Sequence, residues 1–390
     1  MNHLKNILLL FTILTIMACG SSKPFYEKSQ RAEPIAADCK PNNIAYEIFL
    51  IGDCGKPNLE TQEPNLKLLE NSLQKSGEKS AVVFLGDNIY DFGLPDKSDK
   101  AARQKAEKRI NESLNILKNY QGSPFFVPGN HDWNRSQVGG LKAVQREEKY
   151  IESYLEKDNN IFVPDNACPG PQEIHLTDDI VLVALDSEWY LNGHYEVDKA
   201  TSTCKVIDKD LQYIQEVQAT IERNKDKKIL MVAHHPILST GTHGGHHPVK
   251  SHLFPLTDLN KKAWIPLPVL GSVYVGLRKF VGHPQDMPHK IYRDYIKKML
   301  EVLKTHDNLI YANGHEHILQ YFKKDNNHFI TSGAGSKKSY ARRGKAANFT
   351  YSQKGFAKLI YLKDGKVFLE FWTPDGDGAE GTVVYRQLVF

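Results

Sequence analysis

The amino-acid sequence predicts an α/β protein, on three observations. Five apolar runs read as buried strands, and each leads into a short polar motif. Amphipathic helical stretches lie between them, and the carboxyl-terminal part changes to alternating, β-branched and aromatic runs. Strand, polar loop and helix in repeated succession is the pattern of an α/β chain. Buried parallel strands are apolar on both faces, and functional side chains gather beyond their carboxyl ends.

The first run, residues 46–51, leads to Gly52-Asp53-Cys54-Gly55. Leu66, Leu69 and Leu73 then mark a helix over residues 63–75. The second run, 80–85, leads to Gly86-Asp87-Asn88-Ile89-Tyr90 and a charged amphipathic helix over 97–119. The third, 124–127, precedes Gly129-Asn130-His131-Asp132 and a helix over 141–156. A strand at 180–185 ends in Asp186 and Ser187, and a helix over 207–224 follows. The run 227–233 leads to His234-His235-Pro236, a helix spans 288–306, and the run 308–313 leads to Gly314-His315-Glu316-His317. Four of the five motifs begin with glycine, which permits a sharp turn that aims the next side chain into the crevice. The tail supplies strands at 355–362, 366–372 and 382–389, with Lys363-Asp364-Gly365 as a hairpin turn. The expectation is a mixed sheet first and an antiparallel sheet at the end, packed in one domain. No internal repeat or low-complexity tract stands out.

Apolar content of 41% and charged content of 25% are ordinary for a globule. Residues 1–18 differ: Lys5 precedes an apolar stretch, and Ile16-Met17-Ala18-Cys19 places a small residue before cysteine. This reads as a secretory leader, too short to span a membrane. Its end resembles the lipobox of bacterial lipoproteins, in which the Cys19 thiol receives a lipid and becomes the new amino terminus. Gly20 rather than Asp after Cys19 favours outer-membrane sorting where a source has two membranes. Residues 19–43 read as a flexible tether and 44–390 as the folded domain. Losing the leader lowers the net charge of +4 by the one lysine, and no basic stripe interleaved with aromatics argues for nucleic acid. An exported chain can form disulfides, and Cys168 with Cys204 is the favoured pair. Cys54 is expected to be a small buried packing residue.

Carboxylates, a phenol, a carboxamide and imidazoles together suit two metal ions held side by side. Such ions repel, so they need a shared anion, and Asp87 is the natural bridge. Asp53, Tyr90 and one imidazole of the last motif would complete a first site of hard, anionic oxygen donors, favouring ferric iron. Asn130, His234 and the other imidazole are neutral donors and suit a divalent ion: zinc, manganese or ferrous iron. Such a pair clamps a phosphate oxygen and lowers the pKa of a bound water to about 7. His131, beside Asn130, is placed to protonate a leaving alkoxide. Asp132 either orients that imidazole or caps the next helix.

These motifs resemble those of the calcineurin-like metallophosphoesterases. The tyrosine in the second motif, with Leu85 to Gly93, Gly314 to Tyr321 and Ser332-Gly-Ala-Gly335, is similar to the small, tartrate-resistant type of purple acid phosphatase. The resemblance runs from about Ala45 to the end. It implies a four-layer α/β/β/α sandwich of two mixed sheets flanked by helices. It implies Fe(III) at Asp53, Asp87, Tyr90 and His317, and a divalent ion at Asp87, Asn130, His234 and His315, with His131 as proton donor and a metal-bound hydroxide attacking a phosphomonoester. Met231 replaces the usual valine of the fourth motif, and either His234 or His235 fits the ligand position; His234, two residues before Pro236, is preferred. The stretch between the fourth and fifth motifs is longer than in small relatives, with an insertion at about 243–287. In the relatives a His-Gly there lines the substrate pocket, so His243 is expected to contact phosphate. His246, His247, His283 and His289 are expected to be surface histidines. Residues 264–277 are apolar with two prolines, and stay open as lid, partner surface or packing, the lid being favoured.

The expected activity is that of a monomeric, lipid-anchored phosphatase of the cell envelope acting on small phosphorylated substrates. A phosphodiesterase or nucleotide hydrolase on the same site, or a non-catalytic binding lipoprotein, are the alternatives.

Overall fold

Apolar runs too uniform to have a solvent face must be covered on both sides, and the chain meets that demand with two sheets and outer helices. The computed structural model describes residues 23–27, 40–156, 160–192, 204, 212–344 and 346–390. The expected leader and Cys19 lie outside the described residues. In chain order the strands are β1 (Phe25–Tyr26), β2 (Ile44–Ile51), β3 (Ser80–Leu85), β4 (Ser123–Val127), β5 (Gln172–His175), β6 (Ile180–Ala184) and β7 (Lys228–Val232). They continue as β8 (Ile310–Asn313), β9 (Leu319–Lys324), β10 (Asn327–Ser332), β11 (Phe349–Tyr351), β12 (Phe356–Leu362), β13 (Val367–Asp375) and β14 (Glu380–Leu388). The helices are α1 (Pro64–Ser76), α2 (Lys100–Asn115), α3 (Gly140–Leu155), α4 (Ser187–Leu191), α5 (Gln212–Arg223), α6 (Val249–Leu253), α7 (Pro268–Phe280) and α8 (Lys290–Leu303).

One sheet runs β14-β13-β12-β2-β3-β4 and the other β1-β11-β9-β10-β8-β7-β6-β5. In the first, β2, β3 and β4 are parallel, while β12 joins β2 antiparallel. In the second, β6, β7, β8 and β10 are parallel, with antiparallel strands outside them. Side chains alternate between two apolar layers. Ile48, Leu50, Val83 and Leu85 meet Leu182, Leu230, Val232 and Ile310 between the sheets. Their sequence neighbours Phe49, Val82, Phe84, Val183 and Met231 face outward to helical residues such as Leu69, Ile110, Val217 and Met299. The result is helix, sheet, sheet, helix.

The two mixed sheets implied by the resemblance are present; two features depart from the reading of the residues alone, and a third region that it left open takes a definite form. The carboxyl-terminal strands are not a separate antiparallel sheet: β12 pairs with the free edge of β2 from Ala357–Leu50 onward, so both sheets are mixed. Within the stretch read as a tether, Phe25–Tyr26 pairs with β11 at a sheet edge. Tyr26 packs its ring against Phe349 and Tyr385, an aromatic hold that a flexible tether lacks. Residues 268–280, with a proline at the start, form helix α7, because Pro268 occupies the first turn, where no backbone N–H is needed. The disulfide joins Cys168 to Cys204, and Cys54 is a buried free thiol in the core.

Phe126 is fully buried at the end of β4 and stacks on Phe84, with ring centroids 4.3 Å apart. Phe126→Ala should lower the unfolding free energy by about 3–5 kcal/mol, read from the urea midpoint.

Candidate metal centre

The ligand-bearing loops leave the carboxyl ends of β2, β3 and β4 in one sheet and of β7 and β8 in the other, so the centre sits where the two sheet ends meet. The turns are made by the functional residues themselves: Asp53, Asp87 and His315 have φ of 60°, 53° and 66°. Such values are uncommon for non-glycine residues and cluster at functional sites. Of the motif-opening glycines only Gly86 has a positive φ, of 84°. Gly129 acts by leaving room instead, since a Cβ there would lie 2.5 Å from Asp87 Oδ1 and 2.4 Å from its amide nitrogen. The sharp turn read from the glycines therefore belongs largely to the next residue.

All seven expected ligands come together, in two groups. In the first, the Tyr90 hydroxyl donates to Asp53 Oδ1 at 2.8 Å and lies 3.0 Å from His317 Nε2, which is 3.3 Å from that same Asp53 oxygen. In the second, His234 Nε2 lies 3.1 Å from Asn130 Oδ1, and His315 Nδ1 lies 3.2 Å from both. Asp87 lies between the groups: its Oδ1 is 3.4 Å from His234 Nε2, and its carboxylate is close enough to Tyr90 to feel the phenol. Asp53, Asp87 and His234 present ligand atoms within 4.8 Å of one another.

The donor set fits cations on a simple count of protons. His234 Nδ1 faces the Leu85 carbonyl at 2.8 Å, and His315 Nε2 faces the Gln285 carbonyl at 2.9 Å. A carbonyl only accepts, so each of those nitrogens carries the hydrogen. Wherever these rings carry only that one hydrogen, the opposite nitrogens are bare lone pairs, turned towards one another and towards Asn130 Oδ1. Three acceptors facing one point repel unless a cation lies between them. Burial holds His315 neutral, well below the usual imidazole range, with the nearby His243 adding to the effect.

The carboxylates add to that need. Burial raises Asp53 to about 7, with His234 opposing and Asp87 reinforcing the rise. Burial acts on Asp87 too, but the His234 and His131 imidazoles and the His131 backbone N–H, at 2.9 Å, hold it below the usual carboxylate range. Burial and both carboxylates push the Tyr90 phenol well above its ordinary value. Two buried carboxylates beside one phenol are costly without a positive charge among them.

His131 Nδ1 is 2.6 Å from the Asp91 carbonyl, which fixes the ring and leaves Nε2 facing Asp87 Oδ2 at 3.8 Å. Asp132 neither steers that ring nor caps a helix, which corrects the sequence reading. Its Oδ2 accepts from the amides of Gly129 at 2.8 Å and Asn88 at 3.2 Å, and its Oδ1 from the amide of Ile89 at 3.0 Å. It ties the second motif to the third because its side chain points back into the turn. His235 is committed elsewhere: Nδ1 lies 2.9 Å from Ser187 Oγ and Nε2 2.8 Å from Gln285 Oε1. That leaves His234 as the residue turned towards Asn130.

His243 Nδ1 is 3.0 Å from Asp286 Oδ1, and its ring centroid lies 4.1 Å from that of His315. Arg278 grips Asp286 from the other side, with Nη2 2.6 Å from Oδ1. Sequence reasoning missed Gln285, Asp286 and Arg278, which carry no motif and meet the site only through folding. It also missed Lys337, whose ammonium sits 3.0 Å above the centroid of the Tyr90 ring. The signal was Ser332-Gly-Ala-Gly335, two residues before it. Burial lowers Lys337 to about 8, against the pull of Asp87 and Asp53. The rim is thus built of cationic and neutral nitrogen groups: His131, His243 and His317 have side chains 18%, 25% and 22% exposed, while Asp53, Asp87 and His234 are at 3% or less.

The sequence profile of the calcineurin-like phosphoesterases matches residues 46–319. The chain is 23% identical over 371 residues to purple acid phosphatase 17 of Arabidopsis thaliana, covering 94% of this chain and 86% of that protein. It is 23% identical over 363 residues to purple acid phosphatase 4 of the same plant, covering 89% and 86%. Its fold is similar to that of GAP50, the anchor in the inner membrane complex of Plasmodium (TM-score 0.54, 17% identity, 88% of each chain). The fold is also similar to that of purple acid phosphatase PPD1 from yellow lupin seeds (TM-score 0.52, 11% identity, 88% of this chain and 53% of that one).

Asp53 and Asp186 are raised to about 7, and Asp132 and Glu188 to about 8, all first by burial. In the unfolded chain such groups ionise near pH 4. Between about pH 4 and 8 the folded state therefore holds more protons, so chelator-treated protein should lose stability as pH rises through that window. Metal-loaded protein should lose less, because a cation favours the ionised carboxylates and displaces their protons. Melting temperatures of both forms at pH 5 and pH 8 check this; an equal drop in both would remove the cation from the account.

Proposed function

The chain belongs to the calcineurin-like phosphoesterase family, and on that premise we propose that it is a binuclear metal-dependent phosphatase hydrolysing phosphomonoesters. The observation that carries this reading is the pairing of two acceptor clusters with a nitrogen-rich rim: the first calls for cations, the second for an anionic substrate. A shared fold does not carry activity; one structural neighbour is named as an anchor and another as a phosphatase. Here the side chains favour catalysis, since no position of the ligand set holds an incompetent residue.

In this reading Asp53, Asp87, Tyr90 and His317 hold Fe(III), because two carboxylates and a phenolate are hard anionic donors. Asp87, Asn130, His234 and His315 hold the divalent ion: iron, zinc or manganese. When bound, the two ions draw charge from the phosphoryl oxygens and acidify a water. His131, with Nδ1 held on the Asp91 carbonyl, hands the proton on Nε2 to the leaving alkoxide. His243 faces the phosphate as a cation. Burial works against its charge, but the bond to Asp286 outweighs that and raises its pKa. Lys337 adds positive charge at Tyr90 and orients the anion from the rim. Asp132 holds the second and third motifs in register and acts on the reaction only through them. Placement at the cell envelope rests on the lipobox-like residues 16–19.

Metal-replete protein should hydrolyse p-nitrophenyl phosphate faster than bis(p-nitrophenyl) phosphate; a preference for the diester would overturn the monoesterase reading. His131→Ala should lower kcat on the monoester by roughly a hundred-fold to ten-thousand-fold with metal content unchanged. Asp87→Asn should leave fewer than two ions per chain, and retention of both would remove it from the bridge. Tyr90→Phe should abolish a visible tyrosinate-to-iron band, whereas a colourless wild type with two zinc ions would exclude Fe(III) and leave the phosphatase reading standing.

A further inference from the structure

Helix α7 is apolar on its outward face, where a soluble surface would be polar. Its inward side is small: Gly271 and Val275 are buried, and a Cβ on Gly271 would lie 2.1 Å from the His252 carbonyl oxygen, so α7 packs closely on α6 there. Outward point Val269, Leu270, Val273, Leu277 and Phe280, with Val269 75% and Phe280 73% exposed, and Trp264 stands just before the helix at 58%. Soluble surfaces rarely leave so many large apolar side chains contiguous and uncovered.

We propose that this face of α7, with Trp264, lies in the headgroup region of an anionic lipid bilayer. Charge complementarity selects that occupant. Lys250, Lys261, Lys262 and Lys279 are exposed around the apolar face. Lys250 Nζ lies 4.7 Å over the Trp264 ring, and Lys279 Nζ 5.5 Å over that of Phe280. Against them the insertion carries two acids: Asp286 is engaged by Arg278, and Asp258 faces Ser251. Basic residues bordering an apolar face, with tryptophan between them, match a lipid headgroup layer. At 13 residues the helix is about 20 Å long, too short to cross, and no helix among the described residues is long and apolar enough to do so. It lies on the surface rather than through it. Such contact would supply a second membrane signal beside the lipid expected on Cys19. It also sets the approach of the bilayer to the centre, because Arg278 of α7 holds Asp286, which holds His243 beside His315.

Of the four tryptophans Trp264 is the exposed reporter: Trp133 and Trp189 are fully buried, and Trp372 is half-buried on β13 with its indole N–H donated to Glu370. The full chain is mixed with vesicles of phosphatidylcholine and phosphatidylglycerol carrying brominated acyl chains. Tryptophan emission should be quenched, less so at high salt, and Trp264→Phe should remove the quenching. Leu270→Asp with Leu277→Asp should raise the lipid needed for half-maximal quenching roughly tenfold or more; if that pair melts early, Phe280→Ser reads the same face. Absence of quenching overturns the proposal. So does quenching unaffected by the aspartates, which would credit the Cys19 lipid alone. A dimer that the aspartates dissociate, without vesicle quenching, would assign the face to a second copy of the chain.

Discussion

Asp53 and Asp87 are buried side by side, and among the described residues only imidazoles form ion pairs with them; that placement sets the terms for everything around them. Carboxylates are rarely fully buried, and two together repel. Opposite them His234 and His315 are each fixed by a backbone carbonyl so that their bare nitrogens face inward with Asn130. The site is thus preorganised in a state that is unfavourable while it contains no positive charge. Backbone conformations of positive φ at Asp53, Asp87 and His315 belong to the same pattern, local strain held where function needs it.

Holding that arrangement takes a surrounding frame, and the frame is also rich in buried polar groups. Asp132 gathers three backbone amides from two motifs. Asn88 bonds to the Val127 carbonyl and to Glu147 Oε1 on α3, at 3.0 and 3.1 Å, so the loop after β3 is tied to β4 and to the helix behind it. Burial raises Glu147 well above the carboxylate range, which suits a neutral carboxyl beside Asp132. Such a network rigidifies the site, with Glu147 Oε2 as the one of its carboxyl oxygens that has no hydrogen-bond partner among the described residues.

The insertion after the fourth motif does more than extend a loop. Gln285 accepts from His315 through its backbone and from His235 through its side chain, while its amide nitrogen donates to Glu188 and Ser136. Asp286 and Arg278 continue the chain of contacts from His243 to α7. One segment therefore carries both a support of the candidate ligands and the exposed apolar face.

Much of this was legible in the linear chain. Apolar runs followed by polar motifs identified β2, β3, β4, β7 and β8, and the seven candidate ligands lie in the motifs that follow them, so those seven side chains were named by local pattern. What local pattern lacks is partnership. Nothing in residues 356–388 says that β12 pairs with β2, because an edge accepts any strand of matching register. The short strand at Phe25–Tyr26 is held by rings more than three hundred residues away. Lys337, Gln285 and Asp286 have no motif of their own, and Asp132, read either as a partner of His131 or as a helix cap, instead accepts from the amides of Gly129, Asn88 and Ile89. Which donors exist, and that they lie at strand ends, follows from local order, since burial and turning are encoded by neighbours along the chain. Which donors face one another, and which groups hold them there, follows from folding, since those are contacts through space between segments whose order along the chain leaves their pairing open.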